Sequence, residues 1–171
     1  MRPANQSGFT LIELLVTVAI IGVIAAIAAP GLLRARMSGN EASAIASLRA
    51  IDTGQKAFAV SCAEGNFADS LASLSAPPAA GGQAFISDDL SQDPSEKSGY
   101  FVTVLAGNPT NPVNVCSAAT TADSYVAVAD PTVPGSTGTR YFFTNGGTIW
   151  QDSIPFPGVF VGPPGQGVPI Q

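Results

Sequence analysis

Residues 8–16 read Gly8-Phe9-Thr10-Leu11-Ile12-Glu13-Leu14-Leu15-Val16, and the apolar run continues through Ala19-Ile20-Ile21-Gly22 to Ala28-Ala29-Pro30. Between Phe9 and Ala29 the only charge is Glu13. These 21 residues, at about 1.5 Å each in a helix, match a hydrocarbon core of about 30 Å. A membrane-spanning helix is therefore expected. Arg2 precedes it and Arg34 and Arg36 follow it, so the distribution of positive charge leaves its orientation open. The alternative is a removable secretory signal with small residues at Ala25–Ala29, but the helical pattern continues beyond them.

Glu13 is the most informative residue of the run. A carboxylate among aliphatic side chains costs several kcal/mol unless it is neutralised, solvated or paired. It therefore calls for a partner, either within its own first turns or on another molecule, and the positive end of the helix dipole favours it in any case. Gly8 has no side chain, so the backbone can be approached closely there, although a turn would account for a glycine as well. Pro30 removes one backbone donor and presses on the carbonyl of Ala26, which predicts a kink or the end of the membrane helix.

The run from Ser7 to about Arg36 resembles the class III leader and N-terminal helix of bacterial type IV pilins and type II secretion pseudopilins. That resemblance implies cleavage between Gly8 and Phe9 by a membrane-embedded prepilin peptidase, followed by N-methylation of Phe9. It also implies a cytoplasmic N-terminus, an extracytoplasmic head, and Glu13 paired with the Phe9 amino group of a neighbouring subunit. The implied partners are further copies of the chain, related minor pilins, the peptidase, an inner-membrane assembly platform and lipid before assembly. After assembly the subunit belongs to an extracellular pilus or a periplasmic pseudopilus. The Asp-Pro-Trp-Gly pattern and late acidic loop of a typical major secretion pseudopilin are missing.

Beyond Pro30, Ile45, Leu48, Ile51 and Phe58 form a helical stripe in which Gln55 fills one step, while Glu41, Arg49, Asp52 and Lys56 are assigned to other faces. Asn40 is read as a cap or interruption with Glu41 in a first turn, and Gly65 as the stop. The connector from Gly65 to Gly99 contains a short helix near Asp69–Leu74 and an acidic stretch of Asp88, Asp89, Asp93 and Glu96. That spacing does not fit an EF-hand, so a solvated loop is preferred to a calcium site. Strand chemistry follows at Tyr100–Leu105, Tyr125–Ala129, Arg140–Thr144 and Thr148–Gln151, the last two joined by Asn145-Gly146-Gly147 as a hairpin turn. The Tyr141, Phe142, Phe143 and Trp150 aromatics read as alternating core and surface positions. The tail from Asp152, rich in proline and glycine, reads as an extended strap or loose end, with Val159-Phe160-Val161 able to dock.

The fold expected is α+β, a long N-terminal helix packed on a small antiparallel sheet of three or four strands. Its organisation is a leader at 1–8, a membrane half-helix at 9–33, a head at 34–151 and a tail at 152–171. With 7 basic and 12 acidic residues, the chain has no electrostatic footprint for nucleic acid. The absence of histidine removes the usual general base and zinc ligand. No catalytic residue, metal or cofactor is expected, which disfavours a tethered enzyme or binding module as the alternative function. Cys62 and Cys116 are expected to form a disulfide if the head lies outside the cytoplasm. That bond would tie the helix to the sheet across a loop of roughly fifty residues, worth about 4 kcal/mol.

Overall fold

The computed structural model describes residues 8–78, 81–112, 115–116, 120–156 and 167–170. The leader residues 1–7, with Arg2, and the Val159-Phe160-Val161 motif of the tail lie outside them. The chain divides into two compact units, residues 1–36 and 37–171. Helix α1 (Leu11–Ser61) contributes residues 11–36 to the first unit and 37–61 to the second. The α+β expectation is met.

In the second unit the helix buries Glu41, Ala44, Leu48, Ile51, Gln55, Phe58 and Ala59. Steps of three and four between the main contacts place them on one face, which is how a helix covers a sheet. Gln55 is buried, and its amide acts as a piece of strand. Its Nε2 donates to the Ala68 carbonyl and its Oε1 accepts from the Ala68 N–H, both at 2.8 Å, so its polar atoms are satisfied inside the core. The helix ends with Glu64 and Gly65 at positive φ, where the Gly65 N–H reaches the Ala59 carbonyl at 2.9 Å. This is the termination that Gly65 suggested.

After α1 come β1 (Phe67–Ala68), the short helix α2 (Leu71–Ser75), a 3-10 turn at Asp88–Leu90, and β2 (Ser95–Lys97). The remaining strands are β3 (Tyr100–Ala106), β4 (Pro109–Thr110), β5 (Thr121–Ala122), β6 (Tyr125–Pro131), β7 (Tyr141–Thr144), β8 (Ile149–Asp152) and β9 (Val168–Pro169). The main sheet has six strands in the order β2-β3-β6-β7-β8-β9, antiparallel throughout, and a separate three-stranded sheet runs β1-β5-β4. The sheet is thus wider than three or four strands. Its added edges, β2 and β9, are too short and too polar or proline-bearing to show an apolar alternation. Tyr100, Val102, Val104, Ala127, Ala129 and Phe142 form one cluster with the helix stripe.

Two details of the sheet depart from expectation. The tight two-residue turn is Ser98-Gly99, both at positive φ, between the paired Lys97 and Tyr100. This backbone shape suits the twist of a hairpin. The Asn145-Gly146 site instead lies in a longer connection between the paired Thr144 and Ile149, with positive φ at Gly146 but not at Asn145. The aromatic pair Phe142 and Phe143 is buried on both sides of β7 rather than alternating core and surface. Phe143 packs against Trp150 and, at 4.4 Å between ring centroids, against Phe156 of the tail.

Cys62, just past the helix end, is bonded to Cys116 in the loop between β4 and β5. The Cys116 N–H also donates to the Cys62 carbonyl at 3.1 Å. Reduction of this bond, with its sequence separation of 54, is expected to lower the unfolding free energy by about 4 kcal/mol. Urea unfolding of the full chain in detergent, with and without reductant, measures the change; coincident curves would contradict it.

Candidate functional site

What the described residues of the first unit present is an apolar helix with one carboxylate at its start. Gly8, Phe9 and Thr10 precede the helix in irregular backbone. Thr10 is the residue before α1, and Glu13 is the third residue within it. The Thr10 N–H donates to Glu13 Oε2 at 2.9 Å, the Thr10 hydroxyl donates to the same oxygen at 2.6 Å, and the Glu13 N–H reaches the Thr10 hydroxyl at 3.3 Å. This reciprocal arrangement is a capping box, which satisfies N–H groups that the first turn leaves without carbonyls. The motif Thr-x-x-Glu ahead of an apolar run is visible in the sequence, and Thr10 is the partner that Glu13 finds within its own first turn.

From Phe9 to Leu33 the large apolar side chains stand exposed, Phe9 at 81%. The helix has a mean hydropathy of 2.7 over its most apolar window, long and apolar enough to cross a membrane. Helix assignment continues through Pro30. Gly8, Gly22 and Gly31 have open space where a side chain would stand.

In the second unit the structure corrects two readings on α1. Asn40 neither caps nor interrupts the helix; its Nδ2 donates to the Thr137 carbonyl at 2.8 Å. Glu41 does not sit in a first turn on a solvent face. It lies one step before Ala44 on the buried stripe, with its side chain 8% exposed. The Thr139 N–H and hydroxyl donate to Oε1 at 3.0 and 3.2 Å, and Arg140 Nε and Nη2 donate to Oε2 at 2.9 and 2.6 Å. Arg140 also donates from Nη1 to Gln151 Oε1 at 2.6 Å and lies over the Phe142 ring. Burial alone would push the Glu41 carboxyl up, but the bonds from Thr139 and Arg140 outweigh it and hold it below its ordinary value. The stripe continued one step toward the N-terminus would have found it.

In the acidic stretch, Asp93 and Asp89 bond to the chain itself. Asp93 accepts from the Leu71 and Val104 N–H groups at 3.2 and 3.3 Å. Its burial still pushes its carboxyl above the ordinary value. Asp89 pairs with Lys97 at 2.5 Å and accepts from the Ser87 hydroxyl. Among the described residues no three metal-ligating side chains converge.

Known proteins resemble the chain at its N-terminus. The model of the prokaryotic N-terminal methylation motif matches residues 3–29. The type IV major pilin protein PilA of Myxococcus xanthus is 46% identical over 57 residues, 33% of this chain and 26% of that one. Its N-terminal segment is similar to those of type IV pilins. The type IV wide pilus major component PilA4 of Thermus thermophilus is 54% identical over 37 residues, 22% of this chain and 28% of that pilin. The match thus spans about a quarter of the length of these curated pilins. No solved structure matches the chain.

Replacing Arg140 with Met leaves the Glu41 carboxylate buried without its charge partner. The expected cost is about 2–3 kcal/mol, below the range for fully buried pairs because the Arg140 side chain is 43% exposed. The lowered carboxyl of Glu41 stabilises the fold above its ordinary value of 4.5, and that stability is lost as pH falls through the folded value. Glu41→Gln should therefore unfold with a shallower acid dependence than the parent. Melting temperatures from pH 7 to pH 3 for both proteins test this, and parallel profiles would refute it.

Proposed function

We propose that the chain is a structural subunit of a type IV pilus-like filament. It is stored in the bacterial inner membrane by residues 9–33, with its N-terminus cytoplasmic and its head outside. Prepilin peptidase removes the leader 1–8 between Gly8 and Phe9, and Phe9 is then N-methylated. The observation that carries this reading is the exposed apolar helix with Glu13 as its one charge before Arg34. The methylation-motif match and the resemblance to two pilus major components support it.

The energetics favour two states of one helix. In lipid an apolar surface gains little from meeting another apolar surface, since the tails are equally apolar. Once the helix leaves the bilayer, packing against copies of itself is favoured by roughly 25 cal/mol per Å² buried. A carboxylate placed near the start of each helix then gives axial register by pairing with the amino group of Phe9 on the next subunit. Pro30 supplies a bend where one backbone bond is missing. The heads need no catalytic residue for this role. A piston-like secretion pseudopilus remains the neighbouring alternative, but the pilin relatives favour the pilus.

Glu13→Ala should abolish filament incorporation while leaving cleavage at Gly8–Phe9 intact. Intact mass of the membrane-extracted chain reports cleavage and methylation together, and electron microscopy of sheared filaments reports assembly. Normal filaments from the variant would remove the basis of this function.

A further inference from the structure

The face of the main sheet turned away from α1 carries a row that filament assembly does not use. Glu96 of β2 stands opposite Phe101 of β3, Phe101 opposite Asp130 of β6, and Tyr141 of β7 opposite Asp152 of β8. Ala129 pairs with Phe142, so Asp130 is in register with Tyr141 and the row is continuous. Their chain neighbours Tyr100, Val102, Ala129 and Phe142 belong to the core under the helix; side chains alternate along a strand, so the row shares the other face. Carboxylates therefore alternate with aromatic rings across the sheet. Among the described residues of the sheet no cation answers them, since Lys97 bonds Asp89 and Arg140 is held by Glu41 and Gln151. Asp152 accepts from the Ser153 N–H at 2.6 Å, a neutral donor. Asp130 is the acute case: its Oδ1 is shut off from solvent without a donor, and burial pushes the carboxyl above its ordinary value. A buried acceptor left so is costly and gains from any donor that reaches it. Phe101, which flanks it, is 41% exposed.

The spacing of the row selects a shape. Neighbouring strands lie about 4.8 Å apart, so carboxylates on alternate strands stand about 9.6 Å apart. A polyproline II helix has three residues per turn and rises about 3.1 Å per residue, which puts every third side chain on one side at intervals of about 9.3 Å. An extended strand fits worse, because its same-side residues recur at about 6.8 Å. We propose that this face binds a proline-rich segment of a partner protein in the polyproline II form, with lysine or arginine at every third position. The segment crosses the strands, its cations on Glu96, Asp130 and Asp152 and its prolines on Phe101 and Tyr141. Aromatic surfaces hold such helices elsewhere, and a preformed helix loses little entropy on docking. The surface is separate from the apolar helix, so it binds whether or not the chain polymerises.

The test titrates the full chain in nonionic detergent with a fluorescent peptide of Lys-Pro-Pro repeats and reads anisotropy. Saturable binding is expected, weakened about tenfold by Asp130→Asn, the loss of one charge-assisted hydrogen bond. Glu96→Gln should weaken it in the same direction, and because Glu96 is exposed on an edge strand that variant leaves the core undisturbed. Phe101→Ser removes a ring from the row and should also lower affinity. Peptides carrying the same number of lysines at every second or every fourth residue, and spermine, should bind about tenfold less tightly. Equal binding by any of these reduces the face to general charge attraction and overturns the proposal, as does unchanged affinity in both Asp130→Asn and Glu96→Gln. Glu13→Ala, which should block filament incorporation, should bind the peptide as the parent does, so the two readings fail separately.

Discussion

One helix carries two kinds of surface, and the rest of the chain is arranged around that constraint. Apart from Thr10, Glu13 and Thr17, residues 9–33 are apolar on every face, a pattern that suits lipid or a ring of neighbouring helices. From Glu41 onward the same helix is one-sided, with Leu48, Ile51 and Phe58 against the sheet and Arg49, Lys56 and Val60 outward. The change takes place within the few residues around Arg34 and Arg36, whose charges mark the end of the apolar surface. A helix of the first kind has no preferred side, so the head must be fixed by the second kind alone.

That fixation is concentrated at the two ends of the one-sided segment. At its start, Asn40 and Glu41 bind the 137–140 loop through backbone and guanidinium donors. At its finish, the disulfide joins Cys62 to the loop carrying Cys116. Between them Gln55 bonds the backbone of β1, and Asp52 accepts from the Tyr125 hydroxyl at 2.6 Å. The Tyr125 hydroxyl is pushed well above its ordinary value by burial and by this carboxylate, and so stays a donor. Covalent and polar ties flank an apolar middle, and together they hold the sheet against this segment of the helix.

The legible parts of the sequence were those with a strong period or a unique composition. The apolar run, the stripe from Leu48 to Phe58 and the long strands β3 and β6 all repeat often enough to declare their structure. Glu41 was misread because charge suggested a solvent face, whereas its partner Arg140 lies 99 residues away and no local pattern links them. Asn145-Gly146 drew attention as a turn, yet Ser98-Gly99 is the tight one, because turn type depends on the strand register that closes around it. The edge strands β2 and β9 were missed because so few residues carry no periodicity. Thr10 is the opposite case: its capping signal is local, with Glu13 three residues on.

Among the described residues, the two borders of the main sheet limit what the head can pair with. One is β2, three residues containing Glu96 and Lys97; the other is β9, two residues of which one is Pro169. A proline has no N–H to offer the next strand, and a short charged strand makes a poor template. Crowded side by side at very high local concentration, such heads have little to zip together along their backbones. In the filament proposed above, growth would rest on a single seam, the apolar helix, and the heads would be free to vary their surfaces without creating a second fibre.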